Sequence, residues 1–177
     1  MNRPLALVAS MLTLLMLLAL PARAQQQQVS LLHISRAAVA AGANYDWHYG
    51  PGLNPEPVFK KEFAGGIYGA YVLTPHVSAY SAVVYGVDNR VWRISPGLHY
   101  RQSVGSEFFA LAVTYDYYAG NLPLVPFYAH EWAASVSYAR PVGKSLIIGA
   151  TESYGMDNRE WRTSIGVRVP LFLGKDS

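Results

Sequence analysis

The chain of 177 residues contains no cysteine, few charged residues (14%) and, after its first 20 positions, no long apolar run. Each absence excludes something. Without cysteine, neither disulfides nor thiolate metal sites contribute to stability. Without a second run near 20 apolar residues, a helical membrane protein is excluded beyond the N-terminus. The balance of 14 basic against 11 acidic side chains includes Arg3 and Arg23, so from residue 25 onward it is 12 against 11, a formal charge of +1. Such a balance gives no reason to expect a nucleic-acid partner.

The apolar run that is present, Leu5 to Leu20, follows Asn2-Arg3 and leads to Pro21-Ala22-Arg23-Ala24. A charged start, an apolar middle and an A-x-A site predict a secretory signal peptide over residues 1–24, cleaved after Ala24. Cleavage leaves 177 − 24 = 153 residues, suited to one domain. Residues 25–35, beginning with Gln25 to Gln28, read as a flexible leader.

From there the apolar residues alternate. Between Val91 and Gln102, Trp92, Ile94, Pro96, Leu98 and Tyr100 share one face, and Arg93, Ser95, Gly97, His99 and Arg101 the other. Glu160 to Phe172 repeats the pattern, with Trp161, Thr163, Ile165, Val167, Val169 and Leu171 opposite Glu160, Arg162, Ser164, Gly166 and Arg168. Period two marks a strand with one apolar and one polar face. Six more such segments fall at about 36–48, 62–74, 77–87, 107–118, 130–140 and 145–156, making eight strands. Long loops (Tyr49 to Lys61, Ala119 to Ala129) and short turns (Thr74-Pro75-His76, Gln102 to Ser106, Pro141 to Ser145) separate them, as in consecutive hairpins.

Residues 85–97 recur as 154–166 with nine of thirteen positions identical at an offset of 69. The offset, give or take one, also aligns Tyr45-Asp46-Trp47 with Tyr115-Asp116-Tyr117 and Glu62-Phe63-Ala64 with Glu131-Trp132-Ala133. The expected organisation is an internal four-strand duplication, with halves at about 36–104 and 105–172 and a C-terminal tail at 173–177. Four strands cannot close a membrane barrel; eight can, around a lumen that side chains fill. The repeated Asp-Asn-Arg before each Trp reads as a tight turn, in which Asp and Asn are at home.

The polar faces combine Ala, Gly and Ser with Asp46, Glu62, Arg93, Arg101, Asp116, Glu131, Glu160, Arg162 and Arg168, a mixture suited to a narrow lumen. Aromatic residues group at two heights: Tyr45, Trp47, Tyr85, Trp92, Tyr115, Tyr117, Trp132, Tyr154 and Trp161 near one rim, Tyr71, Tyr100, Tyr138 and Phe172 near the other. Two girdles match two membrane interfaces, and Trp47, Trp92, Trp132, Trp161, Tyr100 and Tyr138 are the candidate interface residues. The predicted fold is therefore an all-β, eight-stranded antiparallel up-and-down transmembrane β-barrel, closed because lipid cannot satisfy a free edge.

The terminal segment Ser164-x-Gly166-x-x-Val169-x-Leu171-Phe172 resembles the recognition signal of bacterial outer-membrane proteins, although Gly174-Lys175-Asp176-Ser177 follow it where that pattern usually ends. The whole mature chain resembles in architecture the small OmpA and OmpX class. The resemblance implies the outer membrane of a Gram-negative cell, assembly by the barrel-assembly machinery, periplasmic termini and longer loops outside. It also implies outer-membrane lipids and lipopolysaccharide as surroundings; a protein partner in the cell envelope is an open alternative.

Candidate chemistry is sparse. A lumen polar network of Glu62, Arg93, Arg101, Glu131, Arg162 and Arg168 is expected, with Arg93 and Arg162 paired to Glu62 or Glu131 because buried charges need partners. His33, His48, His76, His99 and His130 are scattered, so no metal site is expected and no cofactor. His76-x-Ser78 would suit a lipid hydrolase, but a carboxylate is missing nearby, so no catalytic residues are assigned. Glu152 breaks the alternation and is expected to be rotated inward by a bulge or to sit near lipid headgroups, with a subunit or partner contact as the further alternative. Lys60 and Lys61 read as solvated loop lysines with lipopolysaccharide phosphates as the alternative partner. The expected role is structural or interactional in an envelope complex, with a plugged lumen; a narrow porin-like pore and a lipid-modifying enzyme are the alternatives.

Overall fold

The computed structural model describes residues 37–49, 61–122, 128–143 and 145–173. The signal peptide, the leader, Lys60 and the tail from Gly174 lie outside them. Nine strands run antiparallel: β1 (Ala37–Tyr49), β2 (Lys61–Val72), β3 (Val77–Gly86), β4 (Val91–Ile94), β5 (Gly97–Val104), β6 (Glu107–Gly120), β7 (His130–Val142), β8 (Leu146–Gly155) and β9 (Glu160–Leu173). Consecutive strands pair, except that β4 and β5 both lie between β3 and β6, and β1 also pairs with β9, so the sheet closes on itself.

The barrel has eight staves, because β4 and β5 are one stave with a seam at Ser95-Pro96. Pro96 has no N–H to give the ladder. The bonding nevertheless continues across it: Ser95 N donates to Ala82 O at 2.8 Å, and Tyr115 N to Pro96 O at 2.8 Å. Another interruption falls where β9 meets β1, with a register shift between Val39 and Ala40 opposite Pro170. Proline is confined to such bulges and edges for the same reason.

The alternation resolves with the apolar face outward. Phe63, Ile67 and Leu171 are 60%, 56% and 61% exposed, whereas Asp46, Asp116 and Glu131 are 0%, 1% and 2% exposed. This is the reverse of a water-soluble barrel, whose charges face solvent. Long strands, no free edge and an apolar outer band fit a hydrocarbon surround. Ala64, Ala82, Ala112 and Ala133 point inward and leave room in the narrow lumen of an eight-stave barrel for the charged side chains to meet.

Aromatic rings line the loop end. Tyr85 packs on Trp92 and Tyr154 on Trp161, each pair at 4.8 Å and 43° between ring planes, and Tyr115 meets Trp132 edge-on at 5.2 Å. Trp47, Trp92 and Trp132 are exposed on the outer face; Trp161 is half-buried. At the turn end, Tyr100 is exposed and Phe109 lies 5.3 Å from Tyr138.

The tight turns after β3 and β8 differ from expectation in one detail. It is the arginine of each Asp-Asn-Arg that takes the left-handed conformation, Arg90 at φ 58° and Arg159 at φ 53°. The Asp and Asn are occupied otherwise. Asp88 Oδ2 accepts a hydrogen bond from Phe63 N at 2.9 Å, and Asn89 Nδ2 donates to Glu62 at 3.0 Å. Asn158 holds Tyr128 by two bonds, accepting from its N–H at 2.8 Å and donating to its carbonyl at 3.2 Å. The turn motif thus ties each hairpin to the neighbouring stave.

Candidate functional site

The polar groups concentrate in the loop-end half of the lumen. Asp46 and His48 project from β1, Glu62 from β2, Arg93 from β4, Asp116 and Tyr118 from β6, Glu131 from β7, and Glu160 and Arg162 from β9. The two-residue period of each strand aims all of them inward.

The charged pairs are not those the sequence suggested. Arg162 Nη2 reaches Asp116 Oδ2 at 3.4 Å, and Arg93 Nη2 lies 3.9 Å from Asp46 Oδ2, so each arginine spans the lumen to an aspartate rather than to Glu62 or Glu131. The glutamates are diverted by two glycines. Glu62 lies against Gly86 and Glu131 against Gly155, so closely that an added Cβ would stand 1.8 Å and 2.2 Å from their carboxylate oxygens. In these notches the carboxylates turn toward the tight turns, Glu62 to Asn89 and Glu131 to the Asn158 backbone N–H at 3.1 Å. The aspartates, deeper in the lumen, are left for the arginines.

The remaining contacts satisfy the interior. Thr114 Oγ1 donates to Asp116 at 2.8 Å, Tyr118 OH to Glu131 at 3.0 Å, and Arg162 Nη1 to Tyr118 OH at 3.4 Å. Asn44 donates to Asp46 and accepts from Tyr68 OH at 2.9 Å. Below them Arg168 lies 4.3 Å from the centre of the Tyr68 ring, a cation–π contact, and Tyr80 stacks on His99 at 3.9 Å. Arg101, the sixth candidate, sits on β5 toward the turn end, and among the described residues no carboxylate pairs with it.

His48, set aside in the sequence as one of several scattered histidines, is in the densest part of the network. Its Nδ1 lies 2.5 Å from Glu160 Oε1 and its Nε2 3.3 Å from Glu62 Oε1. One ligand atom from each of Asp46, His48 and Glu62 falls within 4.8 Å of the others. The signal was available in the sequence as Asp46-x-His48, two ligand types on one lumen face. Their carboxylate partners come from other strands, at no recognisable spacing.

His76 and Ser78 are not joined as a catalytic pair. His76 is exposed in the turn with Nδ1 3.3 Å from Arg101 O, whereas Ser78 is buried in the lumen, and among the described residues no hydrogen bond connects them. Glu152 stays outward: the β7–β8 and β8–β9 registers pass through it without a bulge. It accepts from Tyr49 OH and, at 2.5 Å, from Thr163 Oγ1, beside the loop-end girdle where Trp47 pairs with Thr163. Hydroxyl partners and a place at girdle height both lessen the cost of a lipid-facing charge, which is greatest at the bilayer midplane.

No known protein family and no curated protein matches the sequence. Solved structures do match. A designed transmembrane β-barrel aligns with TM-score 0.54 and 10% identity, over 76% of this chain and 95% of that one. The N-terminal β-barrel domain of Pseudomonas aeruginosa OprF aligns with TM-score 0.51 and 13% identity, over 76% and 97%. Neisserial surface protein A aligns with TM-score 0.50 and 15% identity, over 75% and 96%. The fold is that of the small eight-stranded outer-membrane β-barrels. At these identities the likeness is one of fold, and function has to be argued from the side chains.

Proposed function

We propose that the protein is a non-enzymatic outer-membrane barrel whose lumen is plugged by its own side chains, and that it serves the envelope as a structural or interaction component. The observation that carries this reading is the pair of arginine–aspartate bridges spanning the lumen. Arg93 and Arg162 cross it in opposite senses at the level where Tyr118 and Glu131 also fill it. A small pocket among Asp116, Glu131, Ser153, Glu160 and Arg162 is sized for a water molecule, not for a solute.

Its surroundings are outer-membrane lipids and lipopolysaccharide, met by the apolar band and the girdles, and its assembly follows the terminal strand β9. A partner protein would be met at the loop end, since loops on a rigid scaffold carry such specificity.

Single-channel recording in planar bilayers tests the plug. The folded wild type is expected to be silent, and Arg93→Ala/Arg162→Ala to open short-lived conducting states. A steady ohmic conductance from the wild type would replace the plug with a pore.

A further inference from the structure

We infer that Asp46, His48 and Glu62 form a binding site for one divalent cation of the Zn2+ class, with Glu160 as the residue that orients His48. Three ligands of the two types suited to Zn2+, an imidazole nitrogen and two carboxylates, converge within 4.8 Å, all buried at the loop end of the lumen. Small side-chain rotations bring such a set to metal-ligand distances of about 2.0–2.2 Å.

The hydrogen bonding around the ring is the second observation. Histidine ligands characteristically donate one ring N–H to a carboxylate, which fixes the tautomer and presents the other nitrogen to the metal. Glu160 Oε1 stands 2.5 Å from His48 Nδ1, while Nε2 faces Glu62 Oε1 at 3.3 Å. Asn89 Nδ2 bonds Glu62 Oε2, leaving Oε1 toward the imidazole. Asp46 has no exposed surface, and its Oδ2 accepts no hydrogen bond. Arg93 stands 3.9 Å from that oxygen, well beyond the ~2.7–2.9 Å of a charge-assisted hydrogen bond. A buried carboxylate oxygen in that state has a lone pair free for an ion to take.

The matched positions of the other half supply the control. At the offset of about 70, His48 corresponds to Tyr118, and at 69 Glu160 corresponds to Val91; there Tyr118 and Val91 pack as a small apolar cluster and no imidazole is present. The two substitutions that distinguish these positions are the ones that provide a ligand and its orienting carboxylate. Counting Asp46, Glu62, Asp116 and Glu160 against Arg93 and Arg162, with a neutral imidazole, the cluster also carries excess negative charge, which a divalent cation offsets.

The test is isothermal titration of Zn2+ into the chelator-stripped, detergent-folded full chain, with Co2+ absorption reporting coordination geometry. The expected result is one Zn2+ per chain, lost by at least about 100-fold in His48→Tyr and weakened about 10- to 100-fold in Glu160→Gln. The tyrosine is chosen because Tyr118 fits the corresponding place; should His48→Tyr not fold, Glu62→Gln is read in its stead, with the same loss expected. Absence of one-to-one binding in the wild type, or binding indifferent to both His48→Tyr and Glu62→Gln, would overturn the site and leave His48 as an imidazolium bridging Glu62 and Glu160.

Discussion

The barrel has two seams, where β9 meets β1 and where β4 meets β6, and they differ in kind. Their frames agree closely. His48 pairs with Arg162 across one seam and Tyr118 with Arg93 across the other. The adjoining hairpins share the Tyr–Trp packing, the left-handed arginine and a ladder extension, Val87 N to Phe63 O at 2.7 Å and Met156 N to Trp132 O at 2.9 Å. Yet the β4–β6 seam is filled by Val91 and Tyr118, and the β9–β1 seam by Glu160 and His48. One seam is finished as a core. The other holds a histidine between two carboxylates.

The comparison can be broken at its charged pairs, where the largest effect is expected. Each aspartate accepts one further side-chain bond, Asp116 from Thr114 and Asp46 from Asn44, but Arg162 reaches Asp116 at 3.4 Å while Arg93 stands 3.9 Å from Asp46. Removing one partner of a buried pair costs about 3–5 kcal/mol when the pair is well made. In reversible urea unfolding, Asp116→Asn should approach that loss and Asp46→Asn should fall clearly below it. Equal losses would show that the two seams are held alike.

The next effect should be a gain. Replacing buried ionic groups by well-packed groups of similar volume is often stabilising by about 1–4 kcal/mol. Rebuilding the polar seam in the image of the apolar one, His48→Tyr/Glu160→Val, is therefore expected to stabilise the metal-free protein in the same unfolding assay. In that variant the tyrosine hydroxyl can serve Glu62 as Tyr118 serves Glu131.

The smallest effect sharpens the frame that both seams share. Gly86→Ala and Gly155→Ala each push a methyl into a glutamate carboxylate. Flexible side chains can withdraw, so losses near the lower end of the ~1–3 kcal/mol usual for overpacking are expected, and of similar size at both glycines. A large loss at one alone would mean that its glutamate is fixed by more than the asparagine of the turn.

Much of the fold was legible because lipid and lumen impose opposite demands on alternate residues. The run from Trp92 to Tyr100 shows the outward face without ambiguity, and the strand limits read from such runs lie within about two residues of those observed. Pairing across the lumen was not legible. Which carboxylate meets Arg93 depends on the notch that Gly86 leaves for Glu62, a contact made through register and not through sequence spacing. His48 was missed for the same reason: Glu62 and Glu160 come to it from both neighbouring staves, 14 and 112 positions away. Glu152 kept its outward place because Tyr49 and Thr163 provide hydroxyls on staves that the sequence does not place side by side.

The absence of cysteine makes the most direct test simple, since any introduced thiol is unique. Single cysteines at Leu111, Ala112, Val113 and Thr114 of β6, each carrying a small fluorophore, can be read in vesicles with and without lipids brominated on their acyl chains. Quenching at 111 and 113 with protection at 112 and 114 is the result expected of an apolar face in lipid and a packed lumen. Quenching at 112 and 114, or none that alternates, would contradict the placement of this barrel in a membrane.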